Sequence, residues 1–410
     1  MKPKLAILIS VVLIIGSLSG CARQEPDTKP VDTAKPDIPE EGCNVNITTI
    51  KERGGRVDWS HALNVVAFDK RGDDNYYDIY IMNPDGSGEY CFTCNTVLPD
   101  HHNGNPAWHP SGEWIVFQSV NTALLPSMDH EKINAFTNPG AGWLNNVWVS
   151  DREGEKFYQL TDISTHGGVL HPHFSHDGKK LVWAERVGGT PGSTAENWVL
   201  KVADFVAEGP EGPVLENIET FTPGEQQCFS ETHGFSPDGT KILFSGNLQK
   251  GQPFEGMDLY ELDLQTGELI QLTETFYDWD EHASYSPDGK KIVWMSSTGY
   301  SKDTVKADFW IMDSDGSHKQ QLTFFNTPGH PHYTGYPIVA SDSSWSSDGK
   351  RVIAYMKTES TGVGSEGSII MIELEEPCYS RCWHLLIGFV LVFFVLKMAK
   401  SMVQAHLMVI

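Results

Sequence analysis

Polar and apolar residues alternate along this chain in short runs separated by tight turns, and one such run recurs six times. It starts on an aromatic residue, crosses a few polar residues and a turn, and continues as an alternating strand that ends on another aromatic. The copies are residues 59–68 (WSHALNVVAF), 108–117 (WHPSGEWIVF), 174–183 (FSHDGKKLVW), 235–244 (FSPDGTKILF), 285–294 (YSPDGKKIVW) and 345–355 (WSSDGKRVIAY). A period of two puts alternate side chains on opposite faces of a sheet, and Asp-Gly tolerates positive φ where the chain reverses. Each copy therefore predicts strand, turn and strand. A second phrase follows in four of them: residues 78–86 lead to Phe92 and Thr93, 146–154 to Gln-Leu-Thr at 159–161, 258–263 to the same tripeptide at 271–273, and 308–316 to that at 321–323. Each pair of phrases builds four antiparallel strands, the unit of a propeller blade. The leading aromatics stand 49 to 66 residues apart, enough for one blade each. The predicted fold is all-β, a six-bladed β-propeller.

The sixth blade offers strands around Trp345 and at residues 368–374, but no Gln-Leu-Thr strand follows. Upstream of the first blade lies an unassigned β-rich segment, residues 44–50 (NVNITTI). If that segment supplies the missing outer strand, the ring closes by pairing the two ends of the chain and leaves no open edge. The propeller then spans 43–376. Closure would bring Cys43 near Cys378, and these two are expected to form a closing disulfide, with Cys382 as the rival partner. Cys91 and Cys94 form a C-x-x-C outside any strand-to-helix context, which reads as a redox pair or a local disulfide, with local bridging favoured over zinc.

Composition and the chain ends set the compartment. Thirty Lys and Arg against 54 Asp and Glu leave a formal charge of −24, which excludes a sequence-independent nucleic-acid binder, since a polyanion needs a basic surface to release its counterions. Lys2 and Lys4 precede an apolar run of 11 residues, 5–15, the length of a signal-peptide core rather than a bilayer span. Leu18, Ser19, Gly20 and Cys21 follow, and this order resembles the lipobox of bacterial lipoproteins. The resemblance implies a signal peptide over 1–20, a lipid on Cys21 and anchorage in the cell envelope, periplasmic or at the cell surface. Ala22 after the cysteine implies the outer membrane where the organism has one. Residues 21–42 hold four prolines and few large apolar side chains, a flexible tether. Residues 377–410 form a hydrophobic tail whose 14-residue apolar stretch, 383–396, would cover about 21 Å as a helix, short of a hydrocarbon core of about 30 Å.

The repeats, above all the S-P-D-G turns at 236–239 and 286–289, resemble the TolB-type, WD-like propellers of bacterial envelope proteins. The resemblance implies a fold and leaves function open, because this propeller serves as binding platform, peptidase lid and lyase. A further resemblance is to oligogalacturonate lyases, propellers of the same repeat type that hold a divalent metal on several His and one Gln and cleave uronate sugars by β-elimination. Here H-P-H occurs at His171/His173 and at His330/His332, while Gly168 and Thr327 stand where the Gln would be. The chain has no G-x-S-x-G, Walker loop or dinucleotide fingerprint.

In a propeller the inner strands run the same way, so residues just before the six aromatics become neighbours at one mouth of the channel. They are rich in ligand-type side chains. His101, His102, Asn105, Asp280, Asp342, His330 and His332 are the candidates for lining a ligand funnel. His171, His173, Glu231, His233, Glu281 and His282 are the candidates for one divalent metal ion, or for acid–base work. The expectation is an envelope lipoprotein that touches the membrane through Cys21 and uses its funnel to bind a protein, peptide or glycan. The alternative is a metal-dependent polysaccharide lyase of the oligogalacturonate type.

Overall fold

The computed structural model describes residues 43–127, 129–188, 197–224, 229–358 and 367–375. The segments read as signal peptide, tether and tail lie outside these residues, as do Cys378 and Cys382. Strand β1 (Val45–Gly54) comes first and belongs to the last sheet. Blade one is β2 (Val57–Ser60), β3 (Val65–Arg71), β4 (Tyr77–Met82) and β5 (Tyr90–Cys91), and blade two is β6 (Asn103–Trp108), β7 (Trp114–Val120), β8 (Asn145–Asp151) and β9 (Phe157–Gln159). Blade three is β10 (Gly167–Phe174), β11 (Lys180–Val187), β12 (Trp198–Val206) and β13 (Val214–Phe221). Blade four is β14 (Ser230–Phe235), β15 (Lys241–Gly246), β16 (Asp258–Asp263) and β17 (Leu269–Gln271). Blade five is β18 (Asp280–Tyr285), β19 (Lys291–Ser296), β20 (Asp308–Asp313) and β21 (Gln320–Gln321). Blade six is β22 (Ile338–Trp345), β23 (Arg351–Thr358) and β24 (Gly367–Leu374), completed by β1. Six four-stranded antiparallel sheets result, a six-bladed β-propeller. One short helix, α1 (His130–Thr137), sits between β7 and β8, and among the described residues no helix is long and apolar enough to cross a membrane.

Local chemistry explains why the phrases repeat. At the first hairpin of four blades the serine hydroxyl bonds the aspartate two residues on: Ser175 to Asp177 at 2.7 Å, Ser236 to Asp238 at 2.6 Å, Ser286 to Asp288 at 2.7 Å and Ser346 to Asp348 at 2.6 Å. The glycine that follows takes φ between 66° and 73°, where a Cβ would be strained. The second phrase works through its first and last residues. The threonine of the outer strand donates to the side chain that opens the third strand, Thr93 to Asp78 at 2.7 Å, Thr161 to Asn146 at 3.0 Å, Thr273 to Asp258 at 3.2 Å and Thr323 to Asp308 at 2.8 Å. The same hydroxyl accepts the next backbone N–H at 2.9 Å in each case. The short outer strands are thus clamped by side chains where backbone pairing is brief.

Hydrophobic faces meet between neighbouring blades. Phe309 and Ile311 of blade five pack with Trp345, Val352 and Ile370 of blade six, and Val57, Trp59 and Phe68 of blade one pack with Ile353, Ile369 and Met371 of blade six. Clusters of the same kind fill the other four junctions. β1 pairs antiparallel with β24, Val45 opposite Leu374 and Ile47 opposite Ile372, so the chain ends close the ring. The strand is longer than residues 44–50, because register shifts after Thr49 and after Lys51 let it continue to Gly54. Asp58 adds a polar tie across the closure: Oδ1 accepts the Ser344 hydroxyl at 2.9 Å and Oδ2 accepts the Trp108 N–H at 2.6 Å, joining blades six, one and two.

The threonine clamps give a direct expectation. Thr323→Val keeps shape and β-propensity but removes a donor to a buried carboxylate, so it should cost about 1.5–3 kcal/mol. Thermal or urea unfolding of the variant checks it, and a value near zero would show that the clamp is dispensable.

Candidate functional site

Five of the inner strands carry a β-bulge, and the bulges build the centre of the molecule. Two residues face one across the ladder between Gly104 and Ala107, Leu170 and His173, Thr232 and Phe235, Glu281 and Ser284, and Ala340 and Ser343. Asn105, His171 and His282 sit in them with φ of 50°, 48° and 51°. For histidine this left-handed backbone is uncommon, and such strain concentrates at sites where a side chain must be aimed. Asn105, His171, His282 and Asp342 each precede their blade's aromatic by three residues. Arg56 holds that position in blade one, and in blade four Glu231 and His233 flank it.

The bulges bring His171, Glu231, His282 and Asp342 together. Glu231 Oε1 lies 3.3 Å from His171 Nε2 and 3.5 Å from His282 Nδ1. Asp342 Oδ1 lies 3.5 Å from His171 Nδ1 and 3.4 Å from His282 Nδ1, and Glu281 Oε2 lies 3.3 Å from His282 Nε2. Behind them Arg56 and Asp69 form a buried bidentate pair, Nε to Oδ2 at 2.7 Å and the terminal nitrogen to Oδ1 at 3.2 Å. Burial opposes the Arg56 charge, but Asp69 holds its proton more firmly than usual.

Charge in this cluster is unevenly shared. Burial opposes a charged His282, yet Asp342, Glu281 and Glu231 together push its imidazole up to about 10. Burial would raise Asp342, but the His282 imidazolium pulls it well below the usual carboxylate range. Glu231 goes the other way, raised well above that range by burial and then by Glu281. Burial leaves His171 at about 3 and His233 well below the usual imidazole range. Lys357, lowered to about 8 by burial and by Arg56, adds a cation near Glu281.

His171, Glu231 and His282 each offer a ligand atom, and the three atoms lie within 4.8 Å of one another. Ligands about 2.1 Å from a tetrahedral ion stand about 3.4 Å apart, which the 3.3 and 3.5 Å spacings around Glu231 match. Glu231 Oε1 and His282 Nδ1 are buried without a well-formed hydrogen bond. The residues therefore fit a divalent ion. The one other such grouping among the described residues, Asp78 with Cys91 and Cys94, has its sulfurs joined in a disulfide.

Over this cluster opens a cavity of about 390 Å³. His171, His282 and Asp342 line it from the bulges together with His173 and His233, and His61, His109 and His176 line it from the hairpin turns. It lies on the downstream side of the bulges, toward the repeat aromatics, rather than at the starting ends of the inner strands where the sequence places it. His233 Nε2 meets the Ser245 hydroxyl at 2.9 Å, and the Ser284 and Ser343 hydroxyls meet at 3.2 Å on the opposite wall.

Of the metal candidates, His171, Glu231 and His282 converge, Glu281 touches His282, and His173 and His233 line the cavity. Of the funnel candidates only Asp342 joins them. His101 stacks on Tyr76 with centroids 4.2 Å apart, and His102 Nδ1 accepts the Tyr77 N–H at 3.2 Å, so both are spent on blade one. Asn105 shares the bulge level, but its amide donates to Gln118 and to the Pro139 carbonyl. Asp280 points away, accepting from Trp294 Nε1 at 2.9 Å and the Thr275 hydroxyl at 3.0 Å. His330 packs on Phe324 at 4.3 Å and His332 on Phe325 at 6.4 Å beside outer strand β1, because the loop that carries them runs along the rim of the ring. Sequence reading missed Arg56, Lys357, His61, His109 and His176. Counting three residues back from Trp59 would have found Arg56.

No family model matches the chain. It is 24% identical over 253 residues to dipeptidyl-peptidase 5 of Porphyromonas endodontalis, covering 56% of this chain and 34% of that protein. The chain thus spans about a third of that relative's length. Among solved structures it is similar to a putative TolB from Agrobacterium tumefaciens (14% identity, 80% of this chain and 97% of that one, TM-score 0.49). It is also similar to an oligogalacturonate lyase in complex with manganese (13% identity, 84% and 96%, TM-score 0.46). Both likenesses concern the propeller fold alone.

The buried imidazoles set a pH dependence. His101 at about 4 and His171 at about 3 bind their protons more weakly than in the unfolded chain, where imidazoles titrate near 6.5. Their contribution is complete above that value and is lost as pH falls toward 4 and then 3. Stability should drop by up to about 1.4 kcal/mol per pH unit for each imidazole kept neutral, with raised Glu231 partly offsetting the loss. Urea midpoints compared at about pH 7.5 and pH 5 test this, and His171→Asn should flatten the slope.

Proposed function

We propose that this protein is a lipid-anchored component of the bacterial cell envelope whose propeller channel binds a peptide, a partner protein or a glycan. The observation that carries the reading is the cavity and the bulge residues that line it. Two histidines in strained backbone and a carboxylate line a space of about 390 Å³, within the range of small-ligand sites. Its lining mixes imidazoles, from His61 on blade one round to His282 on blade five, with hydroxyls and the carboxylates of Asp58 and Asp342. Such a site orients a ligand that carries both an acceptor and a donor. The volume suits one or two residues or sugar units, so a larger partner would insert an end or a loop. Anchorage rests on the Lys-led apolar run and Leu18–Cys21 order of the N-terminus, and a Cys21→Ser form should leave the membrane fraction yet bind as the anchored form does. Trp59, Trp108 and Trp345 border the cavity, so their fluorescence should report binding from peptide and glycan panels. His173→Ala should weaken a hit by about tenfold, roughly 1.4 kcal/mol, without moving the unfolding midpoint. Binding that ignores substitutions at both His173 and His233 would place the ligand elsewhere.

A second reading is favoured by the spacing around Glu231: the channel is a metal site and the protein a metal-dependent polysaccharide lyase. His171, Glu231 and His282 would hold the ion, which when bound supplies a Lewis acid that neutralises a substrate carboxylate. His173 and His233, kept neutral by burial, are then imidazoles positioned to accept a proton from a ligand in the cavity. Elemental analysis should find about one divalent ion per chain, lost in a His171→Ala, Glu231→Gln double variant. Saturating ion at about a hundred times its Kd should add about 2.7 kcal/mol to stability. Uronate oligomers should give unsaturated, ultraviolet-absorbing products. A metal-loaded protein that yields none across a broad glycan panel refutes the lyase and leaves the binding reading standing.

A further inference from the structure

We propose that the Cys91–Cys94 pair of blade one is an exchange-active disulfide, reduced and reoxidised by protein or small-molecule dithiols while the propeller stays folded. The pair lies at the end of β5, the outer edge of its sheet, with both cysteines half-buried and Tyr90 beside them 51% exposed. Its position argues against a purely structural role. Cys91 stands where the other blades with the second phrase have Gln159, Gln271 and Gln321. The outer strand of those blades is held by the threonine clamp without any disulfide, and blade one has the same clamp, Thr93 to Asp78 and the Ile79 N–H to Thr93. A bridge spanning three residues also removes little entropy from the unfolded chain.

The two sulfurs have different surroundings. The Cys94 N–H points at Cys91 Sγ from 3.1 Å, which stabilises a thiolate on Cys91. Cys94 Sγ lies 3.5 Å from Asp78 Oδ2 and 3.8 Å from the Tyr80 hydroxyl. A carboxylate there disfavours a second thiolate and offers a proton relay, and burial raises the Asp78 carboxyl above its ordinary value. Cys91 is therefore the exchanging sulfur and Cys94 the resolving one.

The exchange balances as follows. A thiolate of the incoming dithiol attacks Cys91 Sγ, a mixed disulfide forms, and the Cys91–Cys94 bond breaks with its electron pair on Cys94, which takes a proton through Asp78. The second thiol of the reductant, losing its proton to solvent, then attacks its own sulfur in the mixed disulfide and releases Cys91 as the thiolate. Two electrons have passed from the dithiol to the protein, and the reductant leaves as a disulfide. The reverse sequence transfers the bridge to a partner dithiol, so the ligand class is a protein carrying paired cysteines.

The test equilibrates the folded full chain in dithiothreitol and glutathione buffers, followed by acid quenching, alkylation and peptide mapping. The 91–94 bridge should open with the near-ultraviolet circular dichroism unchanged, and limiting alkylating agent should label Cys91 first. Cys94→Ser should accumulate glutathione on Cys91, and Asp78→Asn should slow reduction by about tenfold. Because Asp78→Asn also loosens the strand clamp, the Cys94→Ser trap decides if that variant fails to fold. A bridge that opens only on unfolding, or a trap in which Cys91 gains no glutathione, overturns the proposal.

Discussion

The outermost strand of the sixth sheet comes from the opposite end of the chain, and every other feature of this molecule depends on that pairing. With β1 hydrogen-bonded to β24, Ile353, Ile369 and Met371 of blade six can press against Val57, Trp59 and Phe68 of blade one. Without it the last sheet would keep three strands and an open edge, and the junction most remote in sequence would rest on side chains alone. Closing a loop of this length is entropically costly, but the cost grows only slowly with length, while each buried aromatic or aliphatic side chain returns about 1.5–3 kcal/mol. A ring held in this way forces six inner strands around one axis, which is the condition for a channel.

Convergence alone would give a polar tube. The bulges make a site of it, because an extra residue on one strand rotates a side chain out of the sheet and toward the axis. His171 and His282 accept left-handed backbone to be turned inward, and the carboxylates of Glu231, Glu281 and Asp342 meet them there. Asp342, held ionised in so dry a place, needs a positive charge. The proton on His282 serves, and its imidazole is held near 10 while its neighbour His171 stays neutral. A divalent ion at the donor set of His171, Glu231 and His282 would meet the same demand. The buried Arg56–Asp69 pair adds bidentate hydrogen bonds, and the Arg56 charge is felt as far as Lys357.

The two candidate chemistries of the molecule lie in different layers. The axial cluster is made by residues from blades three, four, five and six, and exists only in the closed ring. The Cys91–Cys94 pair is local to one blade and sits on its outer edge, where the repeat already has a clamp of its own.

How much was legible beforehand follows from this division. Alternation, the Ser-x-Asp-Gly turns and the paired Asp and Thr of the second phrase are local, each acting within a few residues or one sheet, so strands, blades and their number could be read directly. The displaced strand at 44–50 was also legible, since blade six offered three strands and no following segment for a fourth, while residues 44–50 had no blade. The convergence of His171, Glu231 and His282 was approached by counting back from the repeat aromatics, but the direction of each side chain was not, and His330, His332, Asp280 and His101 went to other partners. Arg56 escaped because blade one lacks histidine at that offset. By itself, then, the order of residues determined the repeat, the closure and the set of groups near the axis, because those follow from period and hydrogen bonding over short distances. Which of those groups meet, on which side the cavity opens and which imidazole carries the proton were decided by the tertiary structure, since bulge geometry and burial arise only once six sheets stand around one axis.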